Sequence, residues 1–137
     1  MATVALTKDN FESTVTENDT VIVDFWASWC GPCMQFGPTF EEVSEEHPSI
    51  VFGKVDTEEQ QELAQYFGIQ SIPTLMVFRE NVVLYSQPGA LPPAMFKDLV
   101  DQVKAVDMDD VRRQIAEHEA AEHNGEATHE HADADAS

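Results

Sequence analysis

The chain has 137 residues, enough for one domain with some chain to spare, and its 42% hydrophobic content suffices for an ordinary core. Twenty-six acidic residues against seven basic ones set the formal net charge at −19. That balance argues against nucleic acid, where Lys and Arg must replace counterions, and against anionic membrane surfaces.

The chain opens without a basic segment leading into a long apolar run. No stretch approaches the roughly eighteen apolar residues of a membrane span, so a cytoplasmic protein free of the membrane is expected. Val4 to Leu6 reads as a short edge strand. Thr7 or Asp9 then caps a short helix carrying Phe11 and Val15, and Asn18-Asp19 turns the chain. Val21 to Ala27 is β-branched and aromatic with almost no polar relief, the pattern of a strand covered on both faces. After Cys33, the spacing of Phe36, Phe40 and Val43 predicts an amphipathic helix, kinked near Pro38. Ile50 to Asp56 is the next strand. Thr57 and Gln60 form a capping box for a helix carrying Leu63, Ala64 and Phe67, which Gly68 stops. Thr74 to Phe78 pairs with Val82 to Tyr85 as a hairpin, although Glu80-Asn81 lacks the glycine that tight turns favour. Phe96, Leu99, Val100 and Val103 line a last helix. From Val21 onward the order is βαβαββα, an α/β fold with one central mixed sheet and helices on both faces.

Residues 1–106 form this domain, and residues 107–137 differ in composition. The second segment holds ten acidic residues and four of the five histidines. Met108, Val111 and Ile115 mark a short helical extension. Beyond about Ala120 no apolar repeat remains, which reads as unstructured chain. His118, His123, His129 and His131 have no spacing that fixes a coordination geometry, so no metal site is expected.

Cys30 and Cys33 are the whole cysteine inventory. A bridge between residues three apart closes too small a loop to hold a domain together, and two cysteines fall short of a structural zinc site. Redox chemistry uses both. The pair follows a buried strand and begins a helix, so Cys30 lies where free backbone N–H groups and the helix dipole favour thiolate over thiol. Cys33 lies one turn on, within disulfide reach. Gly31 permits close approach, and Pro32 suits a first turn that has no donor to lose. Asp24 is the one acid inside the most hydrophobic strand. Its candidate role is a buried general base for Cys33; a sheet-end position in contact with solvent is the competing reading. Lys54 either moderates that carboxylate or is an ordinary solvated lysine.

Asp24-Phe25-Trp26-Ala27, Trp29-Cys30-Gly31-Pro32-Cys33, Pro38, Lys54 with Asp56, and Gly68 ahead of Ile72-Pro73-Thr74 together resemble the thioredoxin family, over about Ala5 to Val103. The resemblance implies a thioredoxin-like fold and a monomeric protein-disulfide reductase working through a Cys30–Cys33 dithiol and disulfide. Cys30 is then the exposed nucleophile and Cys33 the resolving thiol. Asp24 assists proton transfer with Lys54 as its neighbour, and Pro73 is cis and faces the disulfide. Trp29, Gly31, Pro32, Ile72, Gly89 and Ala90 form an apolar docking patch, with the Ile72 backbone accepting an extended client strand. No cofactor is bound; NADPH is used indirectly through thioredoxin reductase, and the clients are disulfide-containing proteins. Met34 departs from the family pattern, standing where a basic residue is usual. The alternatives are a disulfide oxidase or isomerase of the same fold, which Gly31-Pro32 between the cysteines disfavours, and a docking or holdase module with incidental cysteines.

Overall fold

A computed structural model describes residues 2–128. The chain divides into two compact units between Lys104 and Ala105, ahead of the 106/107 division read from composition.

In the first unit β1 (Thr3–Ala5), β2 (Thr20–Trp26), β3 (Val51–Asp56), β4 (Thr74–Arg79) and β5 (Val82–Pro88) form one sheet in the order β1-β3-β2-β4-β5. The β1–β3 and β3–β2 pairs are parallel, and the β2–β4 and β4–β5 pairs are antiparallel. With its ladder satisfied on both sides, β2 is the best-anchored segment of the chain. Its residues Thr20 to Phe25 are all buried, which explains the continuous apolar run.

Alternation along the strands separates two cores. On one face Ile22, Phe52, Leu75 and Val77 pack under α2 (Gly31–Glu46) and α4 (Pro93–Ala105), which supply Phe36, Phe40, Phe96 and Val100. Phe40 stands 5.4 Å from Phe52 and 5.7 Å from Phe96, ring centre to ring centre. On the other face Val21, Val23, Phe25 and Met76 meet α1 (Phe11–Glu17) and α3 (Gln61–Tyr66) through Phe11, Val15 and Leu63. Each of these large side chains contributes about 2 kcal/mol of apolar burial. Arg79 ties sheet to helix: its Nη1 donates to the Val103 carbonyl at 2.9 Å, satisfying an end group of α4.

Several local expectations are corrected. The N-cap of α1 is Asn10, not Thr7 or Asp9; Thr7 instead accepts the Asp9 N–H on its hydroxyl and gives its own N–H to Asn10 Oδ1. No capping box forms at α3, which begins at Gln61, because the Thr57 hydroxyl donates to the Trp26 carbonyl at 3.0 Å. Gly68, at φ 64°, does end that helix: its N–H and that of Ile69 close onto Gln65 and Ala64. Helix α2 runs through Pro38. The β4–β5 hairpin closes in two residues without glycine, because Glu80 and Asn81 take φ of 52° and 68°.

The second unit is helix α5 (Met108–Thr128). It extends past Ala120, where unstructured chain was expected. Ala and Glu are strong helix formers needing no apolar repeat, and Arg112 and Arg113 pair with Asp109 and Asp110 one turn earlier. His129 and His131 lie outside the described residues.

The hairpin gives a test. Glutamate is poorly suited to the left-handed region that both central positions of this turn require. Glu80→Asn combined with Asn81→Gly is expected to raise stability in urea by about 1 kcal/mol. An unchanged denaturation midpoint would show that the turn carries no such strain.

Candidate redox site

Strand β2 ends at Trp26, whose carbonyl accepts both the N–H and the hydroxyl of Thr57 at 2.9 and 3.0 Å. This locks the end of β2 to the segment leaving β3. The chain then turns through Ala27 to Cys30, and the Cys30 N–H returns to the Ala27 carbonyl at 3.2 Å. Cys30 is the N-cap of α2, extended at φ −93° and ψ 111°. Its sulfur accepts the Cys33 N–H at 3.2 Å, so one of the helix's free donors points directly at it. Pro32 occupies the first turn and leaves no donor unmet.

Cys30 and Cys33 are joined as a disulfide, with Cα atoms 5.2 Å apart. Cys33 is 2% exposed and Cys30 only 5%. The open nucleophile expected from the resemblance is therefore corrected for this oxidised form. In this form the Cys30 sulfur lies 3.7 Å from the Ile72 carbonyl oxygen. What stands open is the surrounding surface. Trp29 is 68% exposed, and Gly31, Pro32, Gly89 and Ala90 are exposed while Ile72 is half-buried. The Ile72–Pro73 peptide is cis, and the Gly89 N–H donates to the Pro73 carbonyl at 2.7 Å. That bond brings the end of β5 beside the proline loop, with Gly89 at φ 110°.

Asp24 is completely buried, and neither carboxylate oxygen has a hydrogen-bond partner. The solvent-reaching alternative is thereby removed. By alternation Asp24 faces α2, the helix that carries Cys33. Lys54 is its in-register partner on β3, and Leu75 its partner on β4. Burial pushes the Asp24 carboxyl from an ordinary 3.8 up to about 7, against an opposing pull from the Lys54 ammonium.

Two contacts were not foreseen. The Trp29 indole N–H donates to Glu58 Oε2 at 3.2 Å, and the Lys54 ammonium lies 4.8 Å from the centre of the Trp26 ring. Parallel pairing of β2 with β3 was the available signal, because it places residues 56–59 beside the end of β2. The choice of side chain within that turn was not readable.

The model of the family described as Thioredoxin matches residues 2–105. The chain belongs to the thioredoxin family. It is 59% identical over 119 residues to "Putative thioredoxin 2" of Streptomyces coelicolor, covering 87% of this chain and 89% of that one. Against the thioredoxin of Bacillus subtilis it is 37% identical over 103 residues, covering 74% of this chain and 98% of that one. Among solved structures, Plasmodium falciparum thioredoxin superposes with a TM-score of 0.68 at 34% identity, covering 73% of this chain and 97% of that one. A mutant thioredoxin from Halobacterium salinarum gives 0.69 at 28%, covering 77% and 92%. The thioredoxin-like fold and the redox-active Cys30–Cys33 disulfide follow, and the protein is a thiol-disulfide oxidoreductase. Among the described residues, no helix is long and apolar enough to cross a membrane.

The raised Asp24 carboxyl has a consequence for stability. Between about pH 3.8 and about 7 the folded protein keeps a proton that the unfolded chain has lost. Stability therefore falls as pH rises through that window, and above it the loss is complete. Asp24→Asn removes the titrating group. Urea denaturation at pH 4 and pH 8.5 should show the variant gaining on the parent by on the order of 4 kcal/mol at the higher pH. Parallel pH profiles for the two proteins would contradict a buried carboxyl with no hydrogen-bond donor among the described residues.

Proposed function

We propose that the protein is a protein-disulfide reductase in which Cys30 attacks and Cys33 resolves. The carrying observation is the sulfur of Cys30 at the start of α2, 3.7 Å from the Ile72 carbonyl oxygen, with Cys33 one turn on in a helix that packs on the sheet face carrying Asp24. In the reduced protein the helix N-terminus favours the Cys30 thiolate. Its sulfur attacks one sulfur of a client disulfide. The client S–S bond breaks, one client thiolate leaves, and a mixed disulfide joins client to Cys30. Cys33 then passes its proton to the Asp24 carboxylate, and its thiolate attacks the Cys30 sulfur. The second client thiolate leaves and takes up a proton. Two electrons have passed to the client, and the Cys30–Cys33 disulfide has formed.

Trp29, Gly31, Pro32, Ile72, Gly89 and Ala90 form the apolar surface on which the client segment lies, and Pro73, itself buried, shapes the loop beneath it. The Ile72 carbonyl oxygen serves as an acceptor for the client's backbone. Lys54 offsets part of the cost of ionising Asp24. Electrons return to the disulfide from NADPH through thioredoxin reductase, and the chain works as a monomer in the cytoplasm, where such a reductant is maintained. Family membership and the intact Cys30-Gly31-Pro32-Cys33 sequence support this direction of flow.

Insulin reduction driven by dithiothreitol tests the assignment. Cys30→Ser should fall to the rate of dithiothreitol alone and form no client adduct. Cys33→Ser should accumulate the mixed disulfide, visible as a mass increase that excess thiol removes. Undiminished turnover in Cys30→Ser would leave a binding module in place of a reductase. Because only ionised Asp24 accepts a proton, release of the mixed disulfide in the parent should slow about tenfold per pH unit below about 7.

A further inference from the structure

The Lys54 ammonium lies over the Trp26 ring, 4.8 Å from its centre. Gly37 of α2 is also close by: a Cβ added there would lie 3.8 Å from the Lys54 nitrogen, at ordinary contact distance. Trp26, Asp24 and Lys54 share one face of the sheet by register, and Trp26 is half-buried. A lysine on a flexible four-carbon stem otherwise spends its time in water, where its field at a buried group is screened. An aromatic face attracts the ammonium and fixes it in place.

Few other charges reach Asp24. Between Gly31 and Phe40, α2 has no acidic or basic residue, and its buried side chains are Cys33, Phe36 and Phe40. Strand β4 places Leu75 beside the carboxylate, and α4 adds Phe96 and Val100 to this face. Asp56, two residues beyond Lys54 on β3, accepts the Glu58 and Glu59 N–H groups at 2.9 and 3.4 Å. Lys54 is the cation on the strand in register with Asp24, so its position carries unusual weight.

We propose that Trp26 is a positioning residue for the proton step: its ring holds the Lys54 ammonium on the Asp24 face and so lowers the pH above which Asp24 is ionised and able to take the Cys33 proton. The inference rests on the reading of Asp24 as proton acceptor. A residue next to the active-site turn thereby acts through a lysine on the neighbouring strand.

The test follows the Asp24 carboxyl by carbon NMR across pH in the full-length reduced protein, for the parent and for Lys54→Met, Trp26→Leu, Trp26→Phe and Trp26→Leu with Lys54→Met. Lys54→Met should raise the Asp24 midpoint by roughly one unit, the scale of a nearby opposite charge. Trp26→Leu should raise it by about half that amount, and Trp26→Phe by less, since a smaller aromatic face still attracts the ammonium. In the Lys54→Met background, Trp26→Leu should add nothing, because its effect passes through Lys54. An unshifted midpoint in Trp26→Leu, or an equal shift in both backgrounds, overturns the proposal. Should Trp26→Leu fail to fold, Trp26→Phe in the two backgrounds makes the same comparison. Mixed-disulfide release in Asp24→Asn separates the two readings. A rate and pH profile like the parent's would refute Asp24 as acceptor while the midpoint shifts still report on the clamp.

Discussion

The structure depends on the double pairing of β2. A strand bonded on both edges cannot slide without breaking two ladders, so its last residues are fixed relative to both neighbours. Because β3 runs parallel to it, the end of β3 at Asp56 arrives beside Trp26. Because β4 runs antiparallel, it begins at the same level, with Thr74 opposite Phe25. Three connections therefore meet at one end of the sheet: the Trp29–Cys30 turn, the Thr57–Glu59 turn and the Ile72–Pro73 loop. The disulfide, its neighbouring carbonyl and the exposed Trp29 ring are consequences of that meeting.

The same strand carries the molecule's most expensive side chain. A completely buried carboxylate without a hydrogen-bond donor is a liability in a domain whose total stability is expected to be only about 5–15 kcal/mol. Burial raises the Asp24 carboxyl, and Lys54 draws it part of the way back. The two effects together hold a carboxyl that titrates near neutral pH in a buried site. Ionising that residue costs stability, while the proton transfer proposed for it requires the ionised form.

Strand β2 was legible because burial on both faces removes all alternation, and Asp24 because it interrupts that run. The helix after Cys33 was legible because Phe36, Phe40 and Val43 repeat at its period. Features decided by distant partners were not. Thr57 carries the pattern of a helix cap, yet its hydroxyl is taken by the Trp26 carbonyl, 31 residues away in sequence. The tight Glu80–Asn81 turn is set by pairing of Arg79 with Val82, against local preference. The Ile72 carbonyl beside the Cys30 sulfur is another such partner, brought up from 42 residues away by the pairing of β2 with β4. Helix α5 shows the opposite failure: its residues have high intrinsic helix propensity, but the apolar repeat sought as the signal is absent.

Cys30 begins the helix and Cys33 lies inside it, an arrangement that makes two thiols three residues apart unequally reactive. The direct measurement is alkylation of the fully reduced protein by limiting iodoacetamide at pH 7, with the modified residue identified by peptide mass. Cys30 should be labelled well ahead of Cys33. Equal labelling, or faster labelling of Cys33, would contradict it.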